Sequence, residues 1–388
     1  MTPADLSRTV LHAVRRAVDE DALRAPVPAR VRVERTRPGG SGDYACAVAL
    51  QLAGPAALPA LEVARILRER VAAEPGVGRV EITGPGFLSF TLDAPAAADR
   101  TVLAAVREQG LAYGHGDALR DEIHQFHHAR EVRAAVTAQT VRRLLTAQGA
   151  RVRTSCAEPP DPDWARLGVT VDAHGTPPVP LTGIRPVPAG ATAGELLERL
   201  GPDAARWGLL RAAGHDRAAL GPELLVQGEA NPLFRVRYAH ARARALTRGA
   251  AALGFTAEPA PYGASPAEPA ANAEPAAHRA SSAAYAANAE PAATTACDAA
   301  ARPLLDLIAD HPGVLLAGAR HRAPDRVARQ LEAVAHAFFD FHDSCPPLPA
   351  GDEKPSAAHR ARLAVAEAAG TVLAGGLSLL GIRAPEHL

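Results

Sequence analysis

A run of arginines around one tyrosine follows helical spacing between residues 231 and 248. Asn231 and Pro232 can open a helix, as a cap and a first-turn proline. Apolar residues recur behind them at steps of three and four, which places them on one face. Arg237, Arg244 and Arg248 lie along another face, and Arg235, Tyr238 and Arg242 form a row beside it. Guanidinium groups beside an aromatic ring can neutralise phosphates and stack on unpaired bases, so the run predicts an RNA-binding face. The simpler alternative is a solvated basic face on a core helix, and this helix alone favours that alternative.

Two segments of the C-terminal half follow known motif patterns. Residues 231–242 read NPLFRVRYAHAR, and residues 376–388 read GLSLLGIRAPEHL. They resemble the opening helix (NPxxYVQYAHAR) and the closing segment of the anticodon-binding domain of arginyl-tRNA synthetases. Residues 201–210, GPDAARWGLL, are similar to the G-x-DAxRxxLL segment of that family. The resemblance implies an all-α anticodon-binding bundle over 201–388, with tRNA as the partner and Tyr238 as a stacking platform. Here Arg235 and Arg237 replace a tyrosine and a glutamine of the pattern, so the tRNA species is not predicted.

The first third of the chain predicts a small α/β domain over 1–110. An amphipathic helix is followed by an alternating strand at 31–35, by helices over 45–52 and 59–71, and by short strands at 78–82 and 87–92. Gly42-Asp43-Tyr44 and the segment GPGFLSF at 84–90 resemble motifs of the N-terminal extra domain of arginyl-tRNA synthetases. That domain touches the outer corner of the tRNA, so the resemblance implies RNA contacts at Tyr44 and Phe87. The alternative for Phe87 is a place in the core of the sheet.

Residues 111–200 stand where the family has its class I Rossmann catalytic domain. The pattern predicts one clear helix, over 129–148, then a proline-rich run around one possible strand at 168–172. A doubly wound sheet needs several strand–helix–strand units of about thirty residues each. The segment is therefore expected to be a vestigial linker derived from the catalytic domain.

The two nucleotide motifs of the family are altered in this segment. The HIGH motif falls on residues 128–131, where His128 is kept but Arg130 replaces the glycine and Glu131 the second histidine. An arginine side chain would fill the space where adenine packs on bare backbone, and a glutamate would repel a triphosphate. The KMSK motif falls near residues 182–185, and the only lysine of the chain is Lys354. The resemblance thus implies a degenerate nucleotide site and no ATP cofactor.

Three nearby histidines offer a different chemistry. If residues 124–128 were helical, His124, His127 and His128 would share a face, and a metal site would be conceivable. Metal sites usually draw ligands from more than one element, so we predict no metal.

Composition restricts the remaining possibilities. The formal net charge is zero, so nucleic-acid binding must come from local patches. The four cysteines are scattered and predict reduced thiols. We find no signal peptide and no stretch expected to span a bilayer, which predicts a cytoplasmic protein without membrane contact. Ala-Glu-Pro-Ala units across 254–300 predict a disordered insertion.

The predicted fold class is α+β: a small N-terminal α/β domain, a vestigial catalytic linker and a C-terminal helical bundle. The predicted function is that of a tRNA-binding, catalytically inactive paralogue of arginyl-tRNA synthetase. The enzyme alternative is a residual arginine–tRNA ligase that uses ATP. A second alternative is a protein-interaction module that binds an aminoacyl-tRNA synthetase or another protein.

Overall fold

The computed structural model describes residues 3–36, 41–74, 76–92, 95–259 and 290–387. The chain forms two compact units, Met1–Val102 and Leu103–Leu388. The boundary between the units falls inside the helix Pro95–Gln109, a few residues before the domain end expected at residue 110.

The first unit packs helices against a four-stranded antiparallel sheet. Its helices are α1 (Pro3–Asp19), α2 (Val48–Ala56) and α3 (Ala60–Ala72), and its strands are β1 (Val33–Arg35), β2 (Tyr44–Cys46), β3 (Val77–Thr83) and β4 (Phe87–Leu92). The order across the sheet is β1-β2-β4-β3. Leu6, Val10, Ala13 and Val14 are fully buried at helical spacing, which explains why α1 docks by this face. The helix expected from residue 45 begins only at Val48, because residues 44–46 pair with β4.

Helix α4 (Pro95–Gln109) spans the boundary between the units, and the second unit then forms a small parallel sheet. The sheet contains β5 (Ile123–His128), β6 (Arg151–Cys156), β7 (Ala173–His174) and β8 (Thr182–Gly183), and α5 (Val132–Ala147) connects its first two strands. All pairs are parallel and the order is β7-β6-β5-β8. This is the 3-2-1-4 order of the first strands of a Rossmann sheet, although β7 and β8 have only two residues each.

The prediction of a linker over 111–200 was therefore wrong in part. Residues 123–128 form a strand, the helix expected from residue 129 begins at Val132, and the strand expected at 168–172 is absent from that range. Alternating burial along β5, where Phe126 and His128 are buried, shows the period of two that a strand imposes. The polar side chains of this strand concealed that period in the sequence.

The rest of the second unit is a helical bundle. Its helices are α6 (Ala193–Arg211), α7 (Pro232–Ala252), α8 (Glu290–His321), α9 (Pro324–Ser344) and α10 (Ala357–Leu380). The predicted start of α7 is confirmed, since Asn231 caps it and Pro232 is its first residue. The insertion expected over 254–300 was drawn too wide: Phe255 and Ala257 are buried, and α8 begins at Glu290. Its central part, 260–289, lies outside the described residues.

The cysteines differ from expectation. Cys297 of α8 forms a disulfide with Cys345, the residue that ends α9, whereas Cys46 and Cys156 are free and buried. Cys297 and Cys345 are 48 residues apart, and this separation gave no signal of the bond in the sequence. The expectation of reduced thiols was wrong for this pair.

One described helix, α10, is long and apolar enough to cross a membrane on length and composition, as is the bent pair α2 and α3 if it is counted as one span. The expectation that no such stretch exists was wrong on those criteria. In the structure, 83% of the most apolar part of α10 is buried inside the protein, as in the core helix of a bundle.

Candidate functional site

Helix α7 of the bundle presents a stack of aromatic rings. Tyr238 of α7 is 44% exposed, and its ring packs against Phe234 of the same helix and Phe339 of α9. Its ring centroid is 5.7 Å from that of Phe234 and 5.6 Å from that of Phe339, with near-parallel planes. Phe338, which is fully buried, supports Phe339 edge-on at 5.5 Å. These contacts hold Tyr238 at the surface, and we call Phe234, Tyr238 and Phe339 the aromatic stack.

Two of the predicted arginines flank this stack. Arg242 is exposed, one turn after Tyr238, and its Nε donates to His342 Nε2 at 3.2 Å. Arg235 is half-buried, and its Nε has no hydrogen-bond partner among the described residues. The row of Arg235, Tyr238 and Arg242 that helical spacing predicted is therefore present on one side of α7.

The other three arginines face a different part of the bundle. Arg237 pairs with Asp203 of α6 at 3.3 Å, and Arg244 pairs with Glu386 at 3.1 Å. Arg248 donates to the carbonyl oxygen of Glu386 at 3.5 Å. The six predicted side chains thus divide between the aromatic stack and the C-terminal segment, 381–387. They do not form one continuous RNA face.

The two aromatic residues predicted in the first unit have different surroundings. Tyr44 is only 6% exposed, and its hydroxyl accepts a hydrogen bond from Arg35 Nη2 at 3.2 Å. The ring is buried in the sheet beneath that guanidinium, and the RNA contact implied for Tyr44 stays a prediction. Phe87 is 37% exposed at the start of β4, directly after the turn glycines Gly84 and Gly86, both at positive φ.

The residues at the altered HIGH motif have structural roles. His128 is 2% exposed, its Nδ1 donates to the carbonyl oxygen of Ala129, and burial lowers its pKa. Arg130 Nε donates to the carbonyl oxygen of Pro159 at 2.9 Å. Glu131 caps α5 by accepting from Ala134 N at 2.7 Å, and its other oxygen accepts from Ala189 N at 2.8 Å.

These contacts occupy groups that an anion at this position would need. One oxygen of the Glu131 carboxylate accepts from Ala134 N at the N-terminus of α5, a donor that would otherwise face an anion, and the other accepts from Ala189 N. Arg130 stands at the position of the motif's glycine.

The three histidines do not form the face that a helix would give them. His124 and His128 lie on one side of β5 and His127 on the other, where its Nδ1 is 2.9 Å from Ser155 Oγ. Across the described residues, no group of three or more histidine, cysteine, aspartate or glutamate side chains could hold a metal ion.

Two buried arginines were not recognised as structural from the sequence. Arg133 of α5 is 1% exposed and donates to the carbonyl oxygens of residues 187, 209, 212, 213 and 216. Arg206 of α6 donates to the carbonyl oxygens of Leu167 and Leu380, and burial lowers its pKa to about 9. Nothing in their spacing distinguishes them from surface arginines.

Comparison with protein-family models finds two domains. Residues 5–92 match the arginyl tRNA synthetase N terminal domain, and residues 276–388 match the DALR anticodon binding domain. The second match begins after α7, so the assignment of that helix depends on its own motif.

Among characterised relatives, an arginine–tRNA ligase of Frankia alni is 26% identical over an alignment of 585 residues that covers both chains completely. Because this chain has 388 residues, at least 197 of those positions (585 less 388) have no counterpart in it. An arginine–tRNA ligase of Pseudarthrobacter chlorophenolicus is 32% identical over half of this chain, which covers 30% of that relative.

Solved structures give the same fold. Arginyl-tRNA synthetase of Thermus thermophilus superposes over the whole of both chains with a TM-score of 0.68 and 14% identity. A putative arginyl-tRNA synthetase of Campylobacter jejuni covers 76% of this chain and all of its own, with a TM-score of 0.53 and 11% identity.

These features define a protein of the aminoacyl-tRNA synthetase type with an anticodon-binding domain. More narrowly, the chain belongs to the arginyl-tRNA synthetase family, which confirms the resemblance read from its motifs.

Proposed function

We propose that this protein binds tRNA through the anticodon arm and does not attach an amino acid to it. The aromatic stack carries the proposal. Tyr238 offers an exposed ring with a guanidinium one turn away, which suits an unstacked base and its phosphate. The helix that bears this ring resembles the opening helix of the family's anticodon-binding domain.

The second half of the proposal is supported by the altered nucleotide motif. A carboxylate stands where the family has a histidine, and both of its oxygens are bonded to backbone N–H groups. The sheet has two long strands and two that are two residues long. We propose that ATP is not a cofactor and that the residual ligase is the weaker alternative.

Tyr238→Ala tests the RNA site. We expect filter binding of tRNA to weaken about tenfold, because stacking on one base contributes about 1–3 kcal/mol. Tyr238→Phe keeps the ring and should bind normally. Arg120→Gln removes an exposed arginine outside the bundle and serves as the control for loss of a positive charge away from the site. Wild-type affinity should fall steeply with salt, as phosphate neutralisation requires. Unchanged binding by Tyr238→Ala would remove the aromatic stack from the proposal.

Protein interaction is the second candidate, because the same exposed aromatic rings could anchor a synthetase or another protein. Pull-down from a lysate with Tyr238→Ala, with and without ribonuclease, separates the two functions. Loss of a partner that survives ribonuclease would favour the protein partner over RNA. The cytoplasmic location stays a prediction.

A further inference from the structure

Arginine side chains converge on a cleft that the proposed tRNA contact does not use. The cleft has a volume of about 930 Å³ and lies among α5, α7, α10 and the C-terminal segment. Arg143, Arg237, Arg244 and Arg383 line it. Arg237 and Arg244 are separated by seven residues, so they share a face of α7 that points well away from Tyr238.

The carboxylates around the cleft do not balance these charges. Asp203 is shared by two guanidinium groups, at 3.3 Å from Arg237 and 3.0 Å from Arg383. Glu386 pairs with Arg244. Glu367 is also near Arg244, and burial raises its pKa; the three carboxylates still face five guanidinium groups. Arg206 adds a further positive charge behind Arg143.

Arg143 is the least compensated member of the group. Its Nη2 makes one long hydrogen bond, 3.4 Å, to the carbonyl oxygen of Gly168, and its buried Nη1 has no partner among the described residues. Gly381 at the end of α10 has φ +74, and a Cβ there would overlap this guanidinium. The glycine therefore lets the arginine reach the cleft, although an unpaired buried donor is costly.

The remaining wall is mixed, with His240, Thr371 and Ser378 beside apolar residues. Leu111, which is 59% exposed, faces the cleft together with Ile382 and Pro385. The volume lies in the range of sites for small organic ligands. Forked guanidinium groups match phosphate oxygens in pairs, so four of them beside apolar residues suit a phosphate ester better than a single carboxylate.

We propose that this cleft binds a phosphate ester, with the phosphate held by the arginines and the organic group against Leu111 and Ile382. The ester comes either from a free nucleotide or from a nucleotide of an RNA chain. This site is separate from the aromatic stack and does not depend on the proposed tRNA contact.

Calorimetric titration of the full chain with AMP, adenosine and inorganic phosphate tests the proposal. AMP should bind, and adenosine should bind at least about tenfold more weakly, because it lacks the group that the arginines hold. Arg383→Gln and Arg244→Gln should each weaken AMP binding about tenfold. Arg248→Gln and Arg242→Gln, on the same helix but outside the cleft, are the matched controls and should bind AMP normally.

A short single-stranded RNA, with and without a 5′-phosphate, separates the two sources of the ester. If the cleft variants weaken RNA binding while AMP does not bind, the ester belongs to an RNA chain. Tyr238→Ala should leave AMP binding intact, so failure of the tRNA proposal would not affect this result. The proposal is overturned if neither AMP nor RNA binding changes in cleft variants whose thermal unfolding matches wild type. It is also overturned if Arg248→Gln causes the same loss as Arg383→Gln.

Discussion

At the scale of single residues, arginine has a structural use in this chain that its basic charge conceals. Arg133 joins α5 to the loops around residues 187 and 212–216 through five carbonyl oxygens. Arg133→Met should lower the free energy of unfolding by about 3 kcal/mol or more, since buried carbonyl groups would lose their donors. Urea unfolding measures this loss. Arg130→Met, which removes one exposed hydrogen bond, should change it by less than about 1 kcal/mol. Equal losses of unfolding free energy in Arg133→Met and Arg130→Met would contradict the structural role of Arg133.

Glu131 gives a second prediction at this scale. Glu131→His restores the histidine of the HIGH motif but removes the cap of α5 and the acceptor for Ala189 N. We expect a loss of about 1–2 kcal/mol in unfolding free energy. We also expect no gain of ATP binding, because Arg130 still occupies the place of the glycine. Chemical denaturation and ATP titration of the same variant check both expectations. A higher affinity for ATP than that of wild type would contradict the expectation of no gain.

Where elements pack together, a buried histidine couples α8 to α9. His311 Nδ1 donates to Gln330 Oε1 at 2.7 Å, and burial lowers the pKa of His311 to about 4. The unfolded chain binds a proton near pH 6.5 and the folded chain only near 4, so stability falls as pH drops through that window. When the pH falls from 7 to 5, the free energy of unfolding of His311→Asn should decrease by on the order of 2 kcal/mol less than that of wild type. Urea unfolding at the two pH values measures this difference, and parallel losses would contradict it.

The disulfide joins the same two helices. Reduction of Cys297 and Cys345 frees a loop of 48 residues in the unfolded chain and should cost about 2–4 kcal/mol of stability. Cys297→Ser should match the reduced wild type and should not respond to dithiothreitol. A wild type that is equally stable with and without dithiothreitol would show that the bond does not form in solution.

Sequence patterns predicted these elements unevenly, for physical reasons. The α1 and α7 helices were predictable, since periodic apolar residues and caps are local signals. The β5 strand was missed because its histidines are buried by partners distant in sequence, and β7 and β8 are too short to show a period. At the candidate site, exposure of Tyr238 followed from its position on α7. Burial of Tyr44 depends on pairing with β4 and could not be read from its motif.

Along the whole chain, two domains of the family flank a segment that contains a parallel sheet of four strands. A ligand that binds only the folded state raises its stability, by about 2.7 kcal/mol at a hundredfold excess over Kd. We therefore expect tRNA at low salt to raise the melting temperature of the full chain, and we expect no arginyl-tRNA to form when ATP, magnesium and arginine are added. An active arginine–tRNA ligase treated in parallel should form it. Formation of arginyl-tRNA by this chain would contradict the proposed loss of ligation and would require Arg130 and Glu131 to leave the contacts they make here.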